Sequence, residues 1–305
     1  MKLDHLATSI FRIPTDHPES DGTFEWDSTT VVVVEIAADG DHSGIGWTYA
    51  SPAAANVIHE TLRPAIAELP LEDVRGAWDA MLASVRNIGR GGIAATAISA
   101  VDVALWDLNA RAHGRPLFQF LGAVRDSVPI YGSGGFTSYS VHELVEQLGG
   151  WVADGIPRVK MKIGGGWGAD PSHDLARIHA VRTAIGPKPE LFVDANGAYT
   201  VKRAIRLARE LNGVASYFEE PVSSDHLHEL ALVRRAIDQD VAAGEYGWDP
   251  WYFHAMTAAG AVDIMQADVT RCLGVTGFLC AGDIAYAAGV GFSAHCSPTI
   301  HCHVA

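Results

Sequence analysis

The feature that most constrains this 305-residue sequence is a series of apolar runs that each end in an ionisable residue. Five such end residues are spaced 25, 26, 23 and 27 residues apart: Asp194, Glu219, Glu245, Asp268 and His295. A strand, a helix and their connections occupy about that length in a repeated βα unit. The spacing therefore predicts a parallel sheet with polar side chains at the carboxyl end of each strand.

Seven runs between residues 128 and 297 resemble strands, and helical patterns such as AIRLARELNG separate them. These runs are VPIYGSG, PRVKMKIG, ELFVDAN, ASYFEEP, DVAAGE, DIMQADVTR and GFSAHCS. An open doubly wound sheet also alternates strands and helices, but polar groups on so many successive strands converge only when the sheet closes. We therefore predict an α/β fold with a modified TIM-type (β/α) barrel over residues 127–305. Because a complete barrel has eight strands, we expect the last barrel unit to lie beyond this chain.

Residues 1–126 follow a different pattern, which predicts a separate α+β domain. The β-branched run TTVVVVEI, the turn-forming ADGDHSG and the run GIGWTYA indicate a hairpin. Helical patterns follow over 53–69, 71–85 and 92–112, and the last of them ends just before Gly114. A sheet packed against helices is expected from this order of elements.

The formal net charge of −14, from 22 basic and 36 acidic residues, disfavours the broad basic surface that nucleic acids and anionic membranes require. We therefore expect neither of these partners. Asp4 and His5 lie where a signal peptide has its apolar core, and no run of roughly 18 apolar residues is present. These features favour a cytoplasmic protein, in which the four cysteines are reduced.

The histidines and cysteines near the end of the chain raise the alternative of a zinc site. His301, Cys302 and His303 lie close in sequence to Cys296, and both residue types are zinc ligands. Neither a C-x-x-C nor an H-E-x-x-H spacing accompanies them. Packed or solvent-facing side chains are the favoured interpretation.

Asp194, Glu219 and Glu245 are strand-end carboxylates that a closed barrel would turn into one mouth. Mg²⁺ prefers near-octahedral oxygen coordination and usually leaves positions for water or substrate. A single such carboxylate is more often a helix N-cap or a solvated loop end, but three at the spacing of one βα unit favour a magnesium site. Glu219 and Glu220 alternate in direction on their strand, and periodicity alone does not choose between them.

Lys160 and Lys162 point to the same side of their strand, because side chains alternate along it. Lysines buried on an apolar strand are costly without a purpose, which favours catalysis over the alternative of solvated edge lysines. Ammonium groups packed together near a divalent cation lower a lysine pKa, as a general base needs near neutral pH. We expect such a lowered lysine pKa here.

Asp268 and His295 end the last two predicted strands. A carboxylate that accepts from one imidazole nitrogen orients the ring and raises the basicity of the other nitrogen. A lone histidine is more often incidental, but the register of His295 with Asp268 and with the acidic strand ends favours catalysis. The sequence therefore predicts a His–Asp dyad.

In their order along the chain, these residues resemble the motifs of the enolase superfamily, and specifically of its mandelate racemase-like group. The matching motifs are K-x-K at Lys160 and Lys162, D-x-N at Asp194 and Asn196, EEP from Glu219, GE at Glu245, and the strand-end Asp268 and His295. Members of that group have an N-terminal α+β capping domain, a modified (β/α) barrel and a C-terminal return to the cap. The resemblance implies that residues 1–126 are the capping domain and that 127–305 are the catalytic barrel, with the C-terminal return beyond this chain.

Roles for individual residues are implied by the same resemblance. Lys162 would be the base on one face of the substrate, and Lys160 would support the substrate carboxylate. His295, oriented by Asp268, would act from the opposite face. Asn196 would assist the substrate site.

The resemblance also chooses between neighbouring residues and between groups of the family. The first acidic residue of the EEP motif binds the metal in the family, which implies Glu219 rather than Glu220. The muconate cycloisomerase-like group places a lysine on the sixth strand, where this sequence has Asp268 followed by Arg271, so Arg271 is not assigned as a base. Mandelate racemases also use a final-strand glutamate, which falls beyond this chain and is not assigned.

The predicted activity is Mg²⁺-dependent removal of the proton α to a carboxylate, which gives a metal-stabilised enolate. Loss of a β-hydroxyl would then dehydrate an acid sugar (an aldonate or aldarate), whereas reprotonation on the opposite face would racemise or epimerise a 2-hydroxy acid. Dehydration is the leading hypothesis, because the group includes many sugar-acid dehydratases and the polar DHPESDG segment suits a polyhydroxylated substrate. A catalytically silent barrel that acts as a binding protein is the non-enzymatic alternative.

The resemblance also implies that a segment from about Ile13 to Ser28 closes over the barrel mouth as a mobile loop, and its Gly, Asp and Ser content suits such a lid. Trp26 would either line the mouth or pack in the core. A homo-oligomer is expected from the resemblance, but no apolar stripe or heptad identifies an interface.

Overall fold

The computed structural model describes residues 1–39 and 41–305, and its strands form two sheets. The strands are β1 (Leu3–Ser20), β2 (Glu25–Ala38), β3 (His42–Tyr49), β4 (Gly132–Gly134), β5 (Arg158–Lys162), β6 (Glu190–Asp194), β7 (Tyr217–Glu219), β8 (Asp240–Ala243), β9 (Ile264–Ala267) and β10 (Gly291–Ala294). The helices are α1 (Ala53–Val57), α2 (Arg63–Ile66), α3 (Val74–Ser84), α4 (Ile93–Ala112), α5 (Leu117–Phe120), α6 (Val141–Ala153), α7 (Gly165–Gly168), α8 (Pro171–Ile185), α9 (Val201–Glu210), α10 (Leu227–Arg234), α11 (Pro250–Ala258), α12 (Gly274–Ala288) and α13 (Pro298–Val304), with a π-helical turn at Ile58–Leu62.

The second sheet has seven parallel strands in the order β4 to β10. All seven lie inside the predicted apolar runs, so the predicted parallel sheet is confirmed. The hydroxyl of Tyr131, just before β4, donates to the carbonyl oxygen of Ala294 in β10 at 3.4 Å, so the two edge strands approach each other. The sheet is therefore curled into an incomplete (β/α) barrel.

The inner face of the curled sheet is divided into an aromatic floor and a polar mouth. Side chains two residues apart on a strand share a face, and Phe192 and Tyr217 lie two residues before Asp194 and Glu219. The rings of Phe192 and Tyr217 stack with centroids 4.4 Å apart, and both side chains are buried. The same alternation places the ionisable residues one step nearer the carboxyl ends of the strands.

The first sheet is antiparallel, in the order β1-β2-β3, and α4 packs across it. Gly46 of β3 permits this close packing, because a Cβ there would lie 2.1 Å from the carbonyl oxygen of Ala100. By length and composition α4 is apolar enough to cross a membrane, with a mean hydropathy of 1.3, but 83% of that stretch is buried inside the fold. The predicted hairpin of β2 and β3 is confirmed, although its predicted turn, 38–44, includes Gly40, which lies outside the described residues.

The expected lid, Ile13 to Ser28, is mostly a β-hairpin rather than a loop. β1 extends to Ser20 and β2 begins at Glu25, so only four residues connect the two strands. Glu19 pairs with Trp26 in the register, and the indole N–H of Trp26 donates to Oε2 of Glu19 at 2.7 Å. This strand pairing explains the difference, because the polar composition that suggested a loop does not prevent an exposed hairpin.

The tip of this hairpin lies against the barrel mouth. The backbone N–H of Thr137 donates to the carbonyl oxygen of Ser20 at 2.8 Å, and the N–H of Trp167 donates to that of Gly22 at 2.9 Å. A Cβ at Gly22 would lie 2.3 Å from the carbonyl oxygen of Ala195, so the approach requires glycine. The hairpin therefore covers the ends of β5 and β6.

Candidate active site

The three predicted metal ligands converge at the carboxyl ends of neighbouring strands. Asp194 ends β6, Glu219 ends β7, and Glu245 follows β8. Each offers an oxygen atom within 4.8 Å of the other two, and all three side chains are buried. Glu220 is also buried but lies outside this acidic triad, and its Oε1 has no hydrogen-bond partner among the described residues. The geometry therefore brings Glu219, rather than Glu220, into the triad.

The electrostatics of the acidic triad fit a divalent cation. Burial, and then the neighbouring Asp194, raise the pKa of Glu219 to about 7. Burial also opposes ionisation of Glu245, but His295 and Lys162 lower its pKa to about 2. Buried carboxylates held this close repel one another, and hard oxygen donors are the ligands that Mg²⁺ prefers. The donor set of the triad therefore suits Mg²⁺.

Both predicted lysines contact the acidic triad. Nζ of Lys160 lies 2.6 Å from Oε1 of Glu219 and 3.1 Å from Oδ2 of Asp194. Nζ of Lys162 also contacts Oδ2 of Asp194, and it donates to Oδ1 of Asn196 at 2.9 Å. Lys160 is only 1% exposed, whereas Lys162 is 9% exposed and borders the main cavity. Lys162 is therefore the more accessible of the two lysines.

The lowered lysine pKa is expected with a divalent cation beside the two lysines, and it stays a prediction for that state. Burial lowers the pKa of each lysine, but Glu219 beside Lys160 and Asp194 beside Lys162 outweigh burial and raise both pKa values. The carboxylates pair directly with the ammonium groups, whereas the expectation assumed carboxylates that contact a cation. The direction of the shift thus depends on which positive charge the carboxylates face.

The predicted contact between His295 and Asp268 is present at the ends of β10 and β9. Nδ1 of His295 donates to Oδ2 of Asp268 at 2.9 Å. Oδ1 of Asp268 accepts from the backbone N–H and the hydroxyl of Thr270 at 2.8 and 2.7 Å. Burial lowers the pKa of His295, but Cys296 and Glu245 raise it well above its usual value. Nε2 lies 3.1 Å from Oε2 of Glu245, so the dyad directs this nitrogen toward the acidic triad.

Two polar neighbours of the site are absent from the predicted set. Nε2 of Gln266 donates to Oε2 of Glu219 at 2.7 Å, and Sγ of Cys296 lies 3.3 Å from Nε2 of His295. Gln266 precedes Asp268 by two residues, so strand alternation is the signal that identifies it. Cys296 carries no such signal, because its placement depends on a left-handed backbone with φ of 52°.

His301, one residue of the alternative zinc site, is engaged in other contacts. Nε2 of His301 accepts from the backbone N–H of Val269 at 3.0 Å, and Nδ1 donates to the carbonyl oxygen of Cys296 at 2.7 Å. Both ring nitrogens of His301 are therefore occupied. Across residues 1–39 and 41–305, the acidic triad is the only group of three or more His, Cys, Asp or Glu side chains with the geometry of a metal site.

One cavity of about 1720 Å³ joins the barrel mouth to the first sheet. Lys162, Asn196, Glu245 and His295 border it from the barrel, and Trp26 borders it from the hairpin. β5, which carries Lys162, and β10, which precedes His295, are separated by four strands of the curled sheet. The lysine and the histidine therefore face one cavity from different sides.

Comparison with known proteins gives matches over both parts of the chain. The family model described as "Enolase C-terminal domain-like" matches residues 143–305. The model described as "Mandelate racemase / muconate lactonizing enzyme, N-terminal domain" matches residues 11–122. Among curated proteins, 3,6-anhydro-alpha-L-galactonate cycloisomerase from Streptomyces coelicolor is 32% identical over 287 residues, which cover 90% of this chain and 77% of the relative.

Solved structures match the fold over nearly the whole chain. A mandelate racemase/muconate lactonizing enzyme-like protein from Rubrobacter xylanophilus has a TM-score of 0.95 and 45% identity, and the match covers 100% of this chain and 84% of that one. L-talarate/galactarate dehydratase from Salmonella typhimurium LT2, solved with Mg and L-lyxarohydroxamate, has a TM-score of 0.91 and 27% identity. That match covers 99% of this chain and 79% of the dehydratase.

Proposed function

The chain belongs to the mandelate racemase/muconate lactonizing enzyme family of the enolase superfamily, and we propose that it is a magnesium-dependent enzyme that removes the proton α to the carboxylate of an acid sugar. One observation carries this proposal: a buried acidic triad, a lysine and a histidine converge at a single barrel mouth. The talarate/galactarate dehydratase solved with magnesium supports the choice of metal.

We propose Asp194, Glu219 and Glu245 as the ligands of Mg²⁺. When bound, Mg²⁺ supplies positive charge where the substrate carboxylate gains negative charge as the proton leaves. Lys160 contacts both Asp194 and Glu219, so it adds positive charge on the same side of the site. We assign Lys160 to support of the substrate carboxylate.

Proton transfer on the two faces is assigned to Lys162 and His295. Lys162 would take the α proton from one face, with Nζ held by the 2.9 Å hydrogen bond to Asn196. Asp268 holds the imidazole of His295 on the other face. From there His295 can give a proton to a departing β-hydroxyl, which leaves as water, or to the α carbon.

Dehydration of an aldonate or aldarate is the reaction that we favour, because a relative with the same fold is named as a dehydratase of talarate and galactarate. Incubation with Mg²⁺ and a library of aldonic and aldaric acids should yield a 2-keto-3-deoxy acid, detected by mass spectrometry. Lys162→Ala and His295→Asn serve as inactive controls. Absence of this product from every acid, with Mg²⁺ bound, would exclude dehydration.

Cycloisomerisation, racemisation or epimerisation is the second candidate. The Streptomyces coelicolor relative is named as a cycloisomerase, and a lysine and a histidine that face one cavity from different sides permit reprotonation on the opposite face. In D₂O, α-hydrogen exchange without a keto product would favour this candidate. A catalytically silent barrel would show no exchange, and Lys162→Ala would then behave as the wild type.

We also propose the division of the chain into a capping domain, 1–126, and a barrel domain, 127–305. Separate hydrophobic clusters support it, one between α4 and the first sheet and the other around the barrel strands. The proposed partner is a small-molecule carboxylate. A homo-oligomeric state and a cytoplasmic location stay predictions.

A further inference from the structure

The loop that carries Asp268 contacts the proposed capping domain, 1–126, which is called the cap below. This loop, Asp268–Leu273, joins β9 to α12 and is termed the dyad loop. The hydroxyl of Thr48 in β3 donates to the carbonyl oxygen of Thr270 at 2.6 Å, and both residues are fully buried. Thr270 in turn donates two hydrogen bonds to Oδ1 of Asp268. A single residue therefore links the cap to the carboxylate that orients His295.

The start of α12 has no capping side chain of its own. Leu273 occupies the N-cap position with φ of 73° and makes no side-chain cap bond, although Ser, Thr, Asp or Asn is usual there. Oγ of Ser99 in α4 accepts from the backbone N–H groups of Leu273 and Gly274 at 2.9 and 3.1 Å. A helix of the cap thus satisfies the first free donors of a barrel helix.

Asp102, also in α4, completes this arrangement. Oδ2 of Asp102 accepts from the backbone N–H of Thr276 at 3.0 Å, and Oδ1 accepts from the Thr276 hydroxyl at 2.7 Å. Gly274 allows the close approach, because a Cβ there would lie 2.4 Å from Oδ2 of Asp102 and its φ is +79°. The cap therefore fixes both the middle of the dyad loop, at Thr270, and its end, at Leu273.

The lysine side of the cavity is held in another way. Lys162 contacts Asp194 and Asn196, which end and follow β6 in the barrel. We propose that Thr48, Ser99 and Asp102 are positioning residues of the cap that keep the dyad carboxylate in contact with the histidine, a role that rests on the catalytic function proposed for the dyad. Perturbing them should affect the histidine face more than the lysine face.

NMR of the protein without substrate tests the positioning directly. The Nδ1 proton of His295, identified by its loss in His295→Asn, reports on the hydrogen bond to Asp268. Thr48→Val removes the hydroxyl and keeps the side-chain shape, and we expect this proton to exchange with solvent about 10-fold faster, as for loss of one buried hydrogen bond. Asp102→Asn should change the exchange in the same direction.

Asn109 offers a matched control on α4. Its side chain is buried, and Nδ2 donates to the carbonyl oxygens of Leu71 and Leu105, which both lie in the cap. Asn109→Ala should lower the melting temperature without changing the exchange of the His295 proton. If Asn109→Ala and Thr48→Val accelerate that exchange equally, the effect is general destabilisation and the positioning proposal is wrong.

Exchange at the substrate separates this proposal from the proposed function. The C2-epimeric acids D-gluconate and D-mannonate present the α proton to opposite faces. Thr48→Val should lower kcat for exchange on the His295 face about 10-fold and leave KM and the Lys162 face within about twofold. Equal losses on both faces would contradict the proposal. If the wild type exchanges no acid of the aldonate and aldarate library but the NMR effect is present, the proposed function fails and the positioning stands. An unchanged NMR exchange overturns the positioning in either case.

Discussion

The two sides of the cavity are supported by different parts of the molecule. Lys162 pairs in register with Asp194 on the next strand and contacts its carboxylate, so one barrel layer holds both the lysine and its partner. His295 is held by Asp268, whose loop is bonded to Thr48 of the first sheet through Thr270. Strand pairing therefore positions the lysine, whereas contacts between distant parts of the chain position the histidine. A change at Thr48 should for this reason disturb one half of the reaction.

The largest predicted effect comes from removing the side chains of Lys162 and His295 in turn. Lys162→Ala should lower α-hydrogen exchange on the lysine face about 10³-fold, and His295→Asn should do the same on the histidine face, since general acid–base groups contribute on this scale. Each variant should keep exchange on the other face. Deuterium uptake from D₂O into C2-epimeric acids, followed by NMR, measures both rates. Loss of both faces in both variants would show that the two side chains act as one unit.

Substitution of Asp268 and Asn196, which hold His295 and Lys162 by hydrogen bonds, gives the next largest effect. Asp268→Asn should lower kcat on the histidine face about 100-fold, because an amide no longer holds the imidazole in the productive tautomer. Asn196→Ala should lower kcat on the lysine face only about 10-fold, because Asp194 still contacts Lys162. The same epimer assay gives both values. A larger loss in Asn196→Ala than in Asp268→Asn would reverse the comparison.

Metal removal should affect both sides together, because Asp194 contacts Lys162 and Glu245 lies 3.1 Å from His295. Mg²⁺ at 100 times its dissociation constant should raise the free energy of unfolding by about 2.7 kcal/mol. Urea unfolding with Mg²⁺ and with EDTA measures the difference. Asp194→Asn should lose most of this gain, and a wild type equally stable in both buffers would argue against the metal site.

The smallest predicted effect concerns the pH dependence of stability through Asp102. Burial raises the pKa of Asp102 from 3.8 to about 7, and hydrogen bonds from Thr276 oppose the rise. Because the folded-state pKa is the higher one, the protonated form of Asp102 favours the folded state. This contribution to stability is complete below pH 3.8 and is lost as the pH rises through about 7. From pH 5 to pH 8 the wild type should therefore lose about 3 kcal/mol more unfolding free energy than Asp102→Asn. Urea titrations at both pH values check this, and identical slopes would show that Asp102 does not titrate there.

The barrel strands and the acidic triad could be predicted because their signals are local. Each strand is a short apolar run, and the chemistry lies at its end. β1 was not predicted, because His5, Arg12 and Pro14 interrupt its apolar pattern and most of its side chains are exposed. Its extended conformation comes from pairing with β2, which the local sequence does not show.

The support of the dyad loop could not be predicted from the sequence. Thr48 and Thr270 are 222 residues apart, and Ser99 and Asp102 look like polar interruptions in an apolar helix. Their purpose appears only when α4 meets the start of α12. The direction of the lysine pKa shift has the same origin, since it depends on which charges Lys160 and Lys162 contact in three dimensions.

Loss of deuterium from the α carbon tests the central claim most directly. Acid sugars labelled with deuterium at C2 would be incubated with the protein in H₂O and followed by mass spectrometry. The site predicts that the label is lost from at least one acid, only with Mg²⁺, and that Lys162→Ala and His295→Asn each abolish the loss on their own face. Full retention of the label in every acid, by a protein that binds Mg²⁺, would contradict proton abstraction at this site.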